Sequence, residues 1–185
     1  MSDAAFPFVV DVRTLALASE RLAGESALSE FGRLADEAQG EVTGLTLRWS
    51  VQAEMRVGAT GAAEPWLHLA VSTCIPLTCQ RCLGPVETEL DILRSFRFVE
   101  TEALAEAQDE ESEEDVLAIS AEFSLASLIE DEVLLALPLI PRHEACPSPV
   151  RMSAQDPGFE QKEGPRPNPF AALAGLSVKT DKSSH

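Results

Sequence analysis

Three successive stretches carry apolar residues at every second position, and that period constrains this chain more than any other feature in it. From Val42 to Met55, Leu45, Leu47, Trp49, Val51 and Ala53 alternate with mostly polar neighbours. From Trp66 to Leu77, one face holds Leu67, Leu69, Val71, Ile75 and Leu77. Val86, Leu90, Ile92, Phe96 and Phe98 repeat the pattern, while Glu87, Glu89, Asp91 and Arg97 face away. Side chains along a strand point alternately to its two faces, so each stretch reads as a half-buried strand. The connections are short, Gly58 to Pro65 and the turn after Leu77, which favours antiparallel neighbours because parallel ones need long crossovers. The expectation is an α+β fold: a mainly antiparallel sheet or partly closed barrel, with two packed helices and a flexible C-terminal tail.

A short apolar run, Phe6 to Val12, suits an edge strand. The first helix is expected over Ser26 to Gln39, where Leu28, Phe31, Leu34, Ala35 and Ala38 recur at helical spacing between Gly24 and Gly40. The second runs from an N-cap at Ser124 to Leu137, with Leu125, Leu128, Ile129, Val133 and Ala136 on its apolar face and Pro138 ending it. Residues 100–115 hold nine carboxylates, too few apolar groups to offset ordering entropy, and read as an acidic mobile loop. Residues 1–146 then form a single α+β domain. Residues 147–185 form a tail whose proline- and glycine-rich start is a linker and whose NPFAAL segment suits docking, with Asn168 as cap, Pro169 at the first helical position and Phe170, Leu173 and Leu176 on one side.

The net charge of −17 is unevenly spread. Met1 to Cys146 holds 27 acidic and 9 basic residues, all nine of them arginine, whereas the tail is nearly balanced. Binding nucleic acid electrostatically needs cations that displace condensed counterions, so such a body disfavours direct RNA contact and suits a basic protein partner. The plainer reading is that acidity serves solubility. Glu130, Asp131 and Glu132 interrupt the apolar pattern of the second helix, either as a solvated face or as a dock for a cationic partner.

The opening MSDAAFPFVVDVRT lacks a secretory pattern, and the longest apolar run, Val133 to Ile140, is too short to span a bilayer. A cytoplasmic, membrane-free setting is expected, where Cys74, Cys79, Cys82 and Cys146 are core residues, ligands or reactive thiols rather than disulfide halves. Two of them form CQRC at 79–82, and Gly84 just after it is expected to take a positive φ. A second pair, HEAC, gives His143 and Cys146 the same spacing. Cys79, Cys82, His143 and Cys146 together make the donor set of a structural zinc site.

A redox dithiol is disfavoured, because strand and proline rather than a helix follow the second cysteine. An iron–sulfur cluster on Cys74, Cys79, Cys82 and Cys146 matches a ferredoxin spacing, but Cys74 lies inside a strand and is expected as a small buried residue. His68 sits mid-strand and His185 is terminal. With no phosphate loop or nucleophile elbow, no enzyme is expected.

In order, CQRC with a following proline, the acidic gap, LIEDEVLLALPLIPRHEAC and NPFAAL resemble the YceD-like proteins, required for accumulation of large-subunit ribosomal RNA. The resemblance runs from about Leu45 to Leu176 and is most specific at the two half-sites, Glu130 to Leu135, Pro138 to Pro141 and Asn168 to Leu173; VKTDKSSH stands where the family typically has a short basic end. It implies a role in making or stabilising the large ribosomal subunit, with no known reaction, and genes commonly beside that of a small, basic large-subunit protein. Joined to the charge argument, it points to a non-enzymatic assembly factor acting through a basic ribosomal protein or pre-ribosomal particle. Contacts are expected at Glu130, Asp131, Glu132, Asn168, Pro169 and Phe170. Two alternatives stay open: an RNA-binding module using Arg81, Arg94 and Arg97, and an iron–sulfur electron carrier.

Overall fold

In the computed structural model of the protein, which describes residues 9–58, 61–147 and 170, the chain opens with β1 (Val9–Val10), α1 (Val12–Ala18) and β2 (Arg21–Ala27). A 3-10 turn (Leu28–Glu30) leads to α2 (Gly32–Glu37), followed by the long strands β3 (Thr46–Val57), β4 (Ala63–Thr78) and β5 (Pro85–Val99). Then come α3 (Glu102–Asp109), β6 (Asp115–Ala118), β7 (Phe123–Ser124) and α4 (Leu125–Ala136). The chain divides into two units, Met1–Val150 and Arg151–His185. The expected docking segment, with Asn168 and Pro169, lies outside the described residues except for Phe170, which sits at a turn.

The alternating stretches pair as expected. One sheet has the order β2-β3-β4-β5-β6, antiparallel throughout except for the parallel β5/β6 edge, and β1 pairs with β7 in a separate two-stranded ribbon. The larger sheet is open, with β2 and β6 at its edges, so the barrel alternative is not realised. Trp49 opposes Val71, and Val71 opposes Ile92, placing three buried side chains in one row across β3, β4 and β5. Onto that face fold Val12 and Ala16 of α1 and Leu125, Ile129 and Val133 of α4. Burying each large aliphatic side chain contributes about 1.5–3 kcal/mol, which is what holds the helices to the sheet. Among the described residues, no helix is long and apolar enough to cross a membrane.

Several expectations change. Residues 21–27, counted partly into a helix, form β2 instead; Gly24 sits opposite Trp49, where an added Cβ would lie 2.9 Å from the indole. The helical spacing after it did mark the core residues Leu28, Phe31 and Leu34, but they enter through a 3-10 turn and a short helix. The edge strand foreseen over Phe6 to Val12 is described as the two residues of β1, and α1 follows it, capped by Asp11, which accepts from the Thr14 N–H at 3.1 Å. The acidic loop at 100–115 contains α3. Thr101 caps it, accepting from the Leu104 N–H at 3.3 Å, and Ala103, Ala105 and Ala107 supply helix propensity. Arg97 pins that segment by donating to Gln108 Oε1 at 2.8 Å and to Ser112 Oγ at 3.3 Å. Four α-helices are present among the described residues where two were expected.

Candidate metal centre

The first half-site grows out of the end of β4. Cys79 donates its N–H to the Gly84 carbonyl at 2.9 Å, and the Leu83 N–H returns to the Cys79 carbonyl at 2.8 Å, closing a tight loop around Cys82. Leu83, rather than Gly84, takes the left-handed conformation, at φ 60°. Gly84 instead turns its N–H towards Cys82, a downward pull on a thiol that stays raised overall. Gln39 braces the loop from outside: its main-chain N–H reaches the Pro76 carbonyl at 2.7 Å and its side-chain amide donates to the Leu83 carbonyl at 3.1 Å.

The second half-site follows α4. The Ser124 hydroxyl caps that helix, accepting from the Ser127 N–H at 3.2 Å, and Pro138 closes it off soon after Ala136. The chain then returns to the β4–β5 turn, where the Gln80 N–H donates to the Pro141 carbonyl at 2.8 Å. Arg81, between the two cysteines of the first pair, grips the second: Nη2 donates to the carbonyls of His143 at 2.9 Å and Glu144 at 3.2 Å, and Nε to Cys146 Sγ at 3.0 Å.

Donor atoms of Cys79, Cys82, His143 and Cys146 all lie within 4.8 Å of one another, a group that could hold a metal ion. Cys79 and Cys146 sulfurs are 4.0 Å apart, and Cys82 Sγ is 3.5 Å from His143 Nδ1. Bonds of ordinary metal–thiolate and metal–imidazole length at tetrahedral angles put sulfur pairs about 3.8 Å and sulfur–nitrogen pairs about 3.6 Å apart. Burial pushes the Cys79 thiol up, but the N–H groups of Cys82, His143 and Arg81 and the His143 side chain outweigh it and bring the thiol to about 5. Cys82 is pulled down by the Gly84 N–H, yet burial and the sulfurs of Cys79 and Cys146 leave it raised. One thiolate thus forms readily and crowds the next, a conflict that a shared cation relieves.

Cys74 stands apart from this group. Expected as a buried residue, it is exposed on the outer face of β4, with its thiol donating to Glu87 at 3.3 Å. Its side chain lies on the sheet face turned away from the core, where α3 packs beside Val99 and Val116 rather than at Cys74.

The three carboxylates of α4 are engaged within the chain. Glu130 accepts from the backbone N–H of Arg33 at 2.8 Å and of Leu34 at 3.3 Å, so it caps α2, and it pairs with the Arg33 guanidinium at 2.6 Å. Burial pushes its carboxyl up, but Arg33 and these N–H groups hold it below the ordinary range. Asp131 pairs with Arg33 at 2.7 Å and keeps half its side chain exposed. Glu132 is buried and meets Arg94 Nε at 3.2 Å, with burial holding its carboxyl above the ordinary range. Arg94 also pairs with Asp115. Gln39 and the bracing role of Arg81 were not foreseen: nothing near Gln39 marks it, whereas Arg81 lies between two predicted ligands.

Three comparisons bear on these residues. Residues 67–177, which contain both half-sites, match the model of the family described as "Large ribosomal RNA subunit accumulation protein YceD". A Haemophilus influenzae protein of that name is 33% identical over 108 residues, which is 57% of this chain and 61% of that relative's length. No solved structure matches.

Proposed function

Since this chain belongs to the YceD family of large ribosomal RNA subunit accumulation proteins, we propose that it is a non-enzymatic factor in large ribosomal subunit biogenesis. It works in the cytoplasm, through contacts with a basic ribosomal protein or a pre-ribosomal particle. The observation that carries the partner's chemistry is charge: residues 1–146 bear a net −18, from 27 acidic and 9 basic residues. Such a body repels a phosphate backbone and attracts cationic polypeptide. The arginines of the alternative RNA-binding strip support the same choice. Arg81 is committed to the second half-site, Arg94 to Asp115 and Glu132, and Arg97 to Glu64, Gln108 and Ser112.

Within this reading the ion is zinc. Three thiolates and one imidazole form a complete donor set of structural type, and the Cys79–Cys146 and Cys82–His143 separations of 4.0 and 3.5 Å fit it. Zinc held there supplies four strong bonds and no open position, hence stability rather than catalysis. Cys79, Cys82, His143 and Cys146 would join the β4–β5 turn to the chain beyond α4, fixing the last helix against the sheet. Cys74 lies too far outside the group to complete a four-thiolate set, which weighs against an iron–sulfur carrier.

The test is purification of the tagged full chain from lysate at moderate salt, with ribosomal proteins and RNA both quantified. Small basic large-subunit proteins should be enriched, and depletion of the protein should lower large-subunit RNA relative to small-subunit RNA. Recovery of ribosomal RNA fragments without ribosomal protein would overturn the reading. Elemental analysis should find one zinc per chain in a colourless preparation; iron in a coloured one would remove zinc.

A further inference from the structure

The segment between α4 and the second half-site displays large aliphatic side chains that the fold does not use. Leu135 is 78% exposed, Leu139 100% and Ile140 65%, three within six residues of a chain whose other aliphatics mostly fill the core. Scattered exposed leucines are ordinary, but several within one short stretch of stiff backbone are a feature of interaction sites. This backbone is stiff: Pro138 and Pro141 restrict it, and the Gln80 N–H ties the Pro141 carbonyl to the cysteine turn at 2.8 Å. Ordering entropy that binding normally costs is therefore already lost on folding.

Leu139 also lines a groove of about 380 Å³, together with Leu77, Leu137 and Pro138. Asp36 and Glu37, at the end of α2, contribute its charge, and among the described residues no cation lines it. Both side chains are exposed and neither forms an ion pair among the described residues, unlike Glu130, Asp131 and Glu132, all three of which are paired with arginine. The groove thus sets leucine and proline side chains beside two carboxylates that no described residue pairs. That combination suits a segment presenting aliphatic side chains flanked by lysine or arginine. It does not suit phosphate or an anionic lipid surface, which the same carboxylates repel.

We propose that the surface around Leu139, with Leu135 and Ile140 of the same short segment and with Asp36 and Glu37 across the groove, is the docking surface for a cationic, aliphatic-anchored segment of a partner polypeptide. The proposal rests on the reading above that the partner is a basic protein, and it locates where such a partner sits.

The experiment measures binding of the zinc-loaded full chain to a labelled twelve-residue peptide of alternating lysine and leucine, against two controls, one with serine for leucine and one with glutamate for lysine. The lysine–leucine peptide should bind about tenfold tighter than either control, as expected for apolar anchors acting with charge. Leu139→Ser with Ile140→Ser, and separately Asp36→Lys with Glu37→Lys, should each weaken it about tenfold at an unchanged melting temperature. Equal binding of the lysine–serine peptide, or unaltered affinity in either double variant, overturns the proposal. So does a wild-type dimer that the Leu139→Ser, Ile140→Ser variant dissolves, because a second copy is then the occupant. Tighter peptide binding by Phe170→Ser assigns the groove to the chain's own tail and also overturns it. Failure here is separable from failure of the functional reading. If the Leu139→Ser, Ile140→Ser variant still enriches ribosomal proteins from lysate, that reading stands and this surface is wrong; if the wild type enriches none while peptide binding holds, the surface stands and that reading falls.

Discussion

Arg81 Nε lies 3.0 Å from Cys146 Sγ, while the same guanidinium holds the carbonyls of His143 and Glu144. A residue between the two candidate ligands of the first half-site therefore orients both candidate ligands of the second. Three thiolates around a divalent cation carry one net negative charge, and the arginine beside them offsets it.

Replacing Arg81 should accordingly weaken metal binding rather than folding alone. Arg81→Ala is expected to lower zinc affinity about 10–100-fold, the usual scale for a group that positions ligands. Arg81→Lys should recover little of this, since an ammonium cannot donate in two fixed directions to sulfur and carbonyls at once. Competition with a chromophoric chelator measures both.

Removing the metal should cost stability in proportion to how far its concentration exceeds its dissociation constant. At a thousandfold excess, linkage amounts to about 4 kcal/mol, or about 8–16 °C in melting temperature for a domain of this size. Chelation and Cys79→Ser should each produce a drop of that order. Cys74→Ser should leave the melt unchanged, because Cys74 is exposed and outside the group; equal sensitivity at Cys74 would contradict the ligand set.

Glu130 provides a pH signature. Although burial raises its carboxyl, Arg33 and the capped N–H groups hold it below the ordinary glutamate value in the folded protein. A depressed folded value means that the carboxylate stabilises fully above the unfolded value, and that this contribution is lost as pH falls through the folded one. Glu130→Gln should thus cost about 1–2 kcal/mol at neutral pH, with the difference from wild type closing at a second, acidic pH below the ordinary glutamate range. Urea titrations at the two pH values test this, and a gap that persists in acid would assign the effect to packing.

Leu83 holds φ at 60°, a conformation that costs a residue with a Cβ about 1–2 kcal/mol. Its side chain is 70% exposed, so little packing is lost on removing it. Leu83→Gly should stabilise the cysteine turn by about 0.5–1 kcal/mol after the added chain entropy of glycine is counted. Thermal melts of the metal-loaded protein should rise slightly; a fall would mean that Leu83 has a packing partner worth more than the strain.

The legible parts of the chain were those where one local period decides the outcome. Alternation over 45–98 located three strands because each buries one face only, and Ser124 with Pro138 bracketed α4 because caps and breakers act within one turn. Reading Ser26 to Gln39 as one helix failed for a non-local reason: Gly24 and Ser26 belong to a strand whose pairing with β3 lets Trp49 lie over Gly24 and donate to Ser26 Oγ at 3.2 Å. Residues 100–115 looked too charged to order, yet Ala105 packs with Val99 and Val116, two residues the acidic run does not contain.

By itself the sequence determined the ligand candidates, since a metal site of this type needs two short-range pairs of donors whose spacing is written in CQRC and HEAC. It also determined the sign of the surface, because charge is a sum over composition and needs no coordinates. Only the tertiary structure decided which charges remain available. The Glu130 to Glu132 carboxylates find arginines brought in from α2 and β5, whereas Asp36 and Glu37 line a groove to which no described residue brings a cation. Pairing depends on distances of a few ångströms between residues far apart in the chain, and no one-dimensional pattern encodes those distances.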